Sequence, residues 1–342
     1  MSTTSTTEIS DPGALIGEPV ASVVMLAYAH EDVLADAIEG VLSQRTSYPY
    51  ELLIGEDCSP DRSREIALTY QQRHPDRIRV IYAERNVGGI RNSERLIRAA
   101  RGEFIAFCEG DDYWHHPDKL QLQIDALRGE PAAHLCHTDY DRRIGRWLLR
   151  SGHRRRKPPN LATGDAYVGL LLGMTVKTAT AVYRRQTLAA FLDSPFNQRD
   201  WPFGDYTKAL FAASRGPVKY LPVSTATYRQ YLGSAMNAGA QARLRMGQAL
   251  AQCRELYMEA FPVDAAQAVR IRKVGRLRQM QDGFNAGDRE QFLEGYDWLR
   301  RNGYAPNPIA HRLRLFALDT GLPLRAWRAV KSLVVRLAFL GS

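Results

Sequence analysis

The sequence predicts an α/β fold, a mainly parallel sheet flanked by helices, with an α-helical C-terminal extension. Short apolar runs rich in β-branched residues recur through residues 20–108, and stretches with helical spacing separate them. From about residue 239 the chain reads as helix throughout. Strand–helix alternation of this kind builds a parallel sheet with helices on both faces, and the ligands of such sheets lie beyond the carboxyl ends of the strands.

Each element has its own signal. Residues 21–27 (ASVVMLA) are a dense apolar run, read as a buried strand. Residues 31–44 then place Val33, Leu34, Ala37, Ile38, Val41 and Leu42 at helical spacing. A second strand, YELLIG at 50–55, ends in the acidic turn Glu56-Asp57-Cys58-Ser59-Pro60-Asp61, and a helix follows over about 63–73. A third strand spans 78–82 and a helix 92–100. A fourth strand, 104–108, runs into Glu109-Gly110-Asp111-Asp112. Beyond that turn the spacing predicts a helix over 117–128, a strand over 134–140 and a basic loop over 141–160. A helix over 165–173, an extended segment over 178–183, a helix over 207–214 and one or two short strands over 218–228 follow. Polar and acidic residues therefore gather at the strand ends, at Tyr28, the 56–61 turn and the 109–112 turn.

A chain of 342 residues holds one large domain, or a domain with an appendage. The divisions expected are a frayed tail over 1–19, a globular domain over 20–235 and a basic helical region over 236–342. The apolar share of 45% and charged share of 24% are those of an ordinary globular protein. Residues 1–19 lack the basic start and apolar run of a signal peptide, and no stretch approaches the roughly 18 apolar residues of a spanning helix. The cytoplasm is the expected location. Cys58, Cys108, Cys136 and Cys253 show no paired or metal-ligand spacing, which argues against a disulfide framework. Of the net charge of +9, most lies in residues 241–342, with 17 Arg and Lys against 9 Asp and Glu. Such a surface suits an anionic partner such as a membrane, or is a plain solvated helical face. No nucleic-acid partner is expected.

Asp111-Asp112, after a buried strand, is the strongest single feature. Adjacent carboxylates at a strand end repel one another unless a cation sits beside them. Hard divalent cations such as Mg²⁺ are held by one or two carboxylates plus substrate phosphates. The structural alternative is that Asp-Asp-Tyr caps the helix beginning near Pro117.

The surroundings resemble a known family. FIAFCEGDDYWHHPDKLQLQ resembles the DXD region of family 2 glycosyltransferases of the GT-A fold. ELLIGEDCSPDRS is similar to that family's strand and Asp-Asp-x-Ser-x-Asp turn, with Glu56 in the first acidic place. RNVGGIRNSERLIRAARGEFIAF is similar to its Asn-x-Gly loop and the helix leading into the DXD strand. These matches cover about residues 20–125, in the family's order. The resemblance implies an inverting enzyme that uses a nucleotide-sugar, a UDP- or dTDP-sugar, with a donor half over 20–125 and an acceptor half over 126–235. Carried over by position, it implies that Tyr28, Glu31 and Asp57 bind the nucleotide, Asp57 accepting from the base. Asn86 and Arg91 would lie near the base or diphosphate. Asp111 would contact the ribose or share the metal, and Asp112 would coordinate the divalent cation, Mg²⁺ or Mn²⁺.

Further on, WPFGDYTKALFAASRGPVKYLPVSTATYRQYLGSAMN resembles the family's acceptor-side block. The match implies that Asp205 is the base that takes the proton of an attacking acceptor hydroxyl. The structural alternative makes Gly204-Asp205 a helix start, and both hold together if the helix fixes the carboxylate. Three places depart from the family pattern. Leu26-Ala27-Tyr28-Ala29-His30 replaces a Pro-x-Tyr-Asn-type turn, and Glu109 stands in the first DXD position. Tyr231, next to Gln230, stands where relatives often carry a metal-binding histidine, so Asp112 and the diphosphate would hold the ion largely with water.

The expected acceptor is a hydroxyl of a glycan or lipid-linked carrier in bacterial surface polysaccharide synthesis. Two other readings share the acidic α/β plan. A sugar-nucleotide nucleotidyltransferase needs a Gly-rich, Lys/Arg-containing loop after the first strand, and Tyr28-Ala29-His30-Glu31 offers none. A non-catalytic nucleotide-binding protein has no use for the full set Asp57, Asp111, Asp112 and Asp205. Gly88-Gly89 is no GxGxxG fingerprint. His134 and His137, flanking Cys136, read as ordinary strand residues. The run Arg154-Arg155-Arg156-Lys157 is a solvated loop or a contact for a phosphate-bearing acceptor. In the tail, Leu324, Trp327, Val330, Leu333, Val334, Leu337 and Phe339 share one helical side with Arg and Lys between them. That is a helix docked on its own core or one lying in the interface of the cell membrane's inner face.

Overall fold

The computed structural model describes residues 6–150, 162–173, 175–230, 239–304 and 308–320. The chain forms two compact units, Met1–Tyr231 and Leu232–Ser342.

The strands of the first unit are, in chain order, β1 (Thr6–Ile9), β2 (Ala21–Ala27), β3 (Tyr50–Glu56), β4 (Ile78–Ala83), β5 (Phe104–Phe107), β6 (Tyr113–Trp114), β7 (Leu135–Ile144), β8 (Trp147–Leu149), β9 (Val182–Arg184) and β10 (Val218–Gln230). They make one sheet ordered β1-β4-β3-β2-β5-β9-β7-β10-β6, with β8 on β7. The pairs β2–β3, β3–β4, β2–β5 and β7–β10 are parallel, and β9 is antiparallel to both β5 and β7. The chain steps from β2 outward to β3 and β4, then returns to lay β5 on the other side of β2. That reversal opens a crevice at the carboxyl ends of β2 and β5, the usual ligand position in such sheets.

The helices of this unit are α1 (Leu34–Leu42), α2 (Ser63–Arg73), α3 (Gly89–Ala99), α4 (Lys119–Arg128), α5 (Tyr167–Leu172), α6 (Arg185–Leu192) and α7 (Asp205–Ala213). β3 is buried along its whole length, as expected of a parallel strand covered on both faces. Tyr50, Leu52 and Ile54 of β3 join Ala21, Val23, Met25 and Ala27 of β2 in one core with Leu34, Ile38, Val41, Leu120, Ile124 and Leu127 of α1 and α4. The alternate residues face α3. Asn92 Nδ2 donates to Gly55 O at 2.7 Å, and a Cβ at Gly55 would collide with the Asn92 side chain and stand 2.7 Å from Leu96 Cδ1. Glycine is what lets α3 lie this close to the sheet.

Several local expectations are corrected. Thr6–Ile9, expected to lie in a frayed tail, form β1, which pairs antiparallel with β4. A buried charge network holds it there. Glu51, fully buried on β3, accepts from Ser22 Oγ at 2.6 Å and pairs with Arg101 at 2.8 Å and Arg79 at 3.1 Å. Arg79 pairs in turn with Glu8 of β1 at 2.7 Å. The basic stretch after residue 140 is likewise no plain loop, because β7 continues to Ile144 and turns back into β8. The extended segment at 178–183 begins with a 3-10 turn, Thr178–Thr180, and 218–228 lies within one strand of 13 residues, Val218–Gln230.

The second unit contains helices α8 (Gly239–Ala260), α9 (Ala265–Ala286), α10 (Arg289–Arg301) and α11 (Pro308–Asp319). Asp264 and Gln267 form a reciprocal capping box at the start of α9. Gly287, at φ 72°, ends that helix and Asp288 caps the next, accepting from Gln291 N at 3.0 Å. Met280, Phe284, Phe292, Leu299 and Ala317 make the core. Among the described residues no helix is long and apolar enough to cross a membrane. Tyr231, the run 154–157 and the tail segment 322–342 lie outside the described residues.

Candidate active site

β5 does not stop cleanly at Phe107. Cys108 N and Gly110 N still donate to Val24 O and Leu26 O of β2, at 3.1 and 2.9 Å. This pairing carries the Glu109–Asp112 turn along the end of β2. Gly110 is required there, because a Cβ would stand 2.7 Å from His30 Nδ1 and 2.8 Å from Leu26 O. The result is a group of carboxylates: the ligand atoms of Glu109, Asp111 and Asp112 lie within 4.8 Å of one another.

The charges in this turn are frustrated. Burial, then the charges of Asp111 and Asp205, push Glu109 up to about 8. Asp112 is only 1% exposed, and burial followed by Glu109 and Asp111 raises its pKa well above the carboxylate range. The opposing influence is Arg229, whose backbone N–H donates to Asp112 Oδ1 at 2.8 Å. Its side chain donates to Asp111 O at 3.2 Å, pairs with Asp36 at 2.5 Å and lies 4.6 Å from the centre of the Tyr113 ring. The helix-cap reading of Asp111-Asp112 fails, since α4 begins at Lys119 with Asp118 in the cap position.

Asp205 is the first residue of α7, behind Gly204 as N-cap, and its Oδ1 accepts the N–H of Tyr206 at 2.8 Å. It is exposed, and its charge bears on Glu109, Lys208 and Tyr183. The helix start therefore fixes a solvent-facing carboxylate beside the acidic turn. Lys208, buried one helical turn later, is pushed down by burial and pulled back by Asp205 and Glu109.

The nucleotide-side residues surround the ends of β2 and β3. Tyr28 is 45% exposed. Ala29, at the left-handed φ of 56°, turns the chain so that Ala29 N, His30 N and Glu31 N donate to Ser59 Oγ, Ser63 Oγ and Asp61 Oδ2. Glu31 returns the contact by accepting Arg62 N at 3.0 Å. Asp57 accepts Val87 N and Gly88 N, both at 2.9 Å, and so shapes the Asn86-x-Gly loop with one lone-pair direction per oxygen left. Asn86 Oδ1 accepts Gly88 N at 2.9 Å, and Arg91 is exposed in the first turn of α3. Glu56 is fully buried and holds the turn itself, accepting Ser59 N at 2.5 Å and pairing with Arg64 at 2.6 Å.

The fold adds residues that the motifs did not single out. Arg95 donates to Asn92 Oδ1 and Glu56 O, both at 2.8 Å. Its buried Nη1 has no partner among the described residues, and Asp57 bears on it electrostatically. His30 Nδ1 is also buried without a partner, and burial lowers its pKa against the pull of Asp111. Lys177 Nζ lies 4.9 Å from the Tyr228 ring centre and 5.9 Å from that of Tyr140, and its charge bears on Glu109. Arg95 falls at helical spacing from Arg91, a signal that was readable. Lys177, Tyr140 and Tyr228 come from separate strands and turns, and no spacing joins them.

Residues 22–192 match the family described as Glycosyl transferase family 2. An uncharacterized protein of Mycobacterium tuberculosis, Rv1520, is 33% identical over 214 residues, which is 61% of this chain and 58% of that protein. The match thus spans under two thirds of its mycobacterial relatives. The putative teichuronic acid biosynthesis glycosyltransferase TuaG of Bacillus subtilis is 35% identical over 111 residues, 32% of this chain and 42% of TuaG. Among solved structures, the mannosyltransferase PcManGT of Pyrobaculum calidifontis, in complex with GDP-Man and Mn²⁺, superposes with a TM-score of 0.57 at 14% identity over 94% of this chain and 87% of that one. TarS 1-349 of S. aureus, in complex with UDP-GlcNAc, gives 0.50 at 15% identity over 83% and 92%. The sheet order, the acidic turn at its switch point and the family match over 22–192 agree: the chain belongs to glycosyl transferase family 2, with the GT-A type of fold.

Proposed function

We propose that the chain moves a glycosyl group from a UDP- or dTDP-sugar to a hydroxyl of a glycan or lipid-linked acceptor, with inversion at the anomeric carbon. One observation carries the reading: Glu109, Asp111 and Asp112 converge at the β2/β5 crevice, and the Asp205 carboxylate is near enough to raise Glu109. The donor set fits a divalent cation. Three hard oxygen ligands converge, and two of them are pushed toward protonation by burial and mutual repulsion, a cost that a bound cation removes. Glu109, Asp111 and Asp112 would hold Mg²⁺ or Mn²⁺ together with donor phosphates. When bound, the ion supplies charge neutralisation for the departing nucleoside diphosphate.

The chain's own residues do the rest. Tyr28 offers an exposed ring for the base, and Asp57 keeps acceptor capacity toward a base N–H. Arg91 and the unpartnered Arg95 N–H supply positive charge along α3. Asp205, held by the start of α7, removes the acceptor proton as the oxygen attacks opposite the leaving group. Bacterial surface polysaccharide synthesis is the setting favoured by the likeness to TuaG, and a divalent ion is favoured by the Mn²⁺ in PcManGT. The test is a panel of UDP-, dTDP- and GDP-sugars incubated with the full chain and Mn²⁺. Cation-dependent release of nucleoside diphosphate, lost in Asp112→Asn, is expected. No turnover of any donor and no thermal shift with any nucleotide would overturn the reading.

A further inference from the structure

Among the described residues nothing covers the β7–β8 hairpin. Residues 142–150 are all exposed, and the pairs Ile144↔Trp147, Arg143↔Leu148 and Arg142↔Leu149 close it around Gly145-Arg146. Gly145 takes the positive φ of 54° that a two-residue hairpin turn needs at its first position. Trp147 is 64% exposed, and Ile144, Leu148 and Leu149 are each 43% exposed. Side chains alternate across a strand, so Ile144, Trp147 and Leu149 share one face, with Arg142 beside them. Arg146 lies 5.0 Å from the centre of the Trp147 ring. Four arginines and no acidic residue occupy positions 142–150.

A folded protein keeps four large apolar side chains in water on one hairpin at a cost, and the cost points to an occupant. The arginines select it. A second copy of this chain would bring four like charges against four, whereas an anionic bilayer takes apolar side chains and cations together, with Trp at the headgroup level. We propose that the β7–β8 hairpin docks this protein on the surface of an anionic lipid bilayer, with Ile144, Trp147 and Leu149 entering the headgroup layer and Arg142, Arg143, Arg146 and Arg150 on lipid phosphates. Its placement has a consequence for the site. β7 also carries Tyr140, whose ring centre lies 6.5 Å from that of Tyr228 and 5.9 Å from Lys177 Nζ, and the charges of Asp112, Asp111 and Glu109 bear on Tyr228, so the strand that reaches the lipid passes close to the acidic turn. An acceptor anchored in that bilayer would then meet the site from the membrane side. Docking itself does not depend on the transferase reading, because vesicle binding is measured without substrates.

The experiment is co-sedimentation of the full chain with vesicles of phosphatidylcholine plus phosphatidylglycerol, against phosphatidylcholine alone. Binding only to the anionic vesicles is expected. Replacing the four arginines with Gln lowers the bound fraction's partition coefficient at least about tenfold. Trp147→Ser with Leu149→Ser does the same, and both proteins keep the wild-type circular dichroism because the changed side chains are all exposed on one short hairpin. Brominated acyl chains quench tryptophan emission in the wild type, and that quenching disappears in Trp147→Phe. Three results would overturn the proposal: no binding to anionic vesicles, variants that bind like the wild type, or a Trp147→Ser/Leu149→Ser protein that only changes from dimer to monomer.

Discussion

The Asp112 carboxylate accepts the backbone N–H of Arg229 at 2.8 Å, so the acidic turn after β5 is tied to the far end of β10. The Arg229 side chain adds a second tie to Asp111 O and a third to Asp36 of α1. One residue thus braces both aspartates of the turn from behind. Groups that brace metal ligands typically govern cation affinity by about 10–100-fold.

Arg229→Ala keeps the backbone N–H on Asp112 but removes the other two ties. Cation affinity in the presence of donor nucleotide, read by isothermal titration, is expected to fall by about 10–100-fold. Arg229→Lys restores the charge without the fork and recovers only part of it. Wild-type affinity in Arg229→Ala would show that Asp111 and Asp112 hold their places unaided.

The protonation of Glu109 gives a pH dependence with a definite sign. Burial beside Asp111 and Asp205 pushes its pKa up to about 8, above the ordinary 4.5 of a glutamate in an unfolded chain. The folded state therefore binds more protons than the unfolded state between those values, and its stability falls as pH rises through that window. A cation must displace that proton, so it binds better at high pH. The rise in melting temperature caused by Mg²⁺ is expected to be larger at about pH 8.5 than at about pH 6. In Glu109→Gln the difference between the two should shrink. A Mg²⁺ effect independent of pH in the wild type would remove Glu109 from the ligand set.

The first half of the fold and the acidic turns of the candidate site were legible because both are written locally. A buried parallel strand is a compact apolar run, and the acidic turns follow directly on such runs at Gly55 and Phe107. What escaped depends on partners far away in sequence. β1 is polar and short, and only the buried Glu51, through Arg79, shows why Glu8 is held there. β9 is 3 residues long and was legible only as the end of the extended segment expected over 178–183, without its antiparallel partners β5 and β7. The β7–β8 hairpin looked like loop because its side chains are exposed on both faces, so no apolar alternation marks it. Arg229, Lys177 and Tyr228 enter the site through β10 and its neighbours, which no motif in the acidic turns could announce.

Asp205→Asn tests the base assignment separately from donor binding. The amide is isosteric, and the exposed position at the head of α7 asks little of the fold. A general base of this kind contributes about 10²–10⁴-fold, so kcat should drop by that factor while the thermal shift with UDP and Mn²⁺ stays as in the wild type. A normal kcat would assign the proton to another group.

Gly55 tests how tightly the donor side is built. It sits on β3 two residues before Asp57, and α3 crosses it at a distance only a hydrogen permits. An added methyl must push Asn92 and Leu96 away, and overpacking of this type costs about 1–3 kcal/mol. For Gly55→Ala that corresponds to a melting temperature lowered by several degrees. The shift would also carry the Val87–Gly88 backbone off Asp57 and move Arg91 and Arg95, so affinity for the donor nucleotide should weaken in the same variant. Leu96→Ala added to Gly55→Ala removes the clash with Leu96 and leaves that with Asn92, so the double variant should be more stable than the sum of the two single losses by the Leu96 share alone. Strict additivity, read from denaturant titrations of the four proteins, would mean that α3 yields without strain and that the glycine is there for another reason.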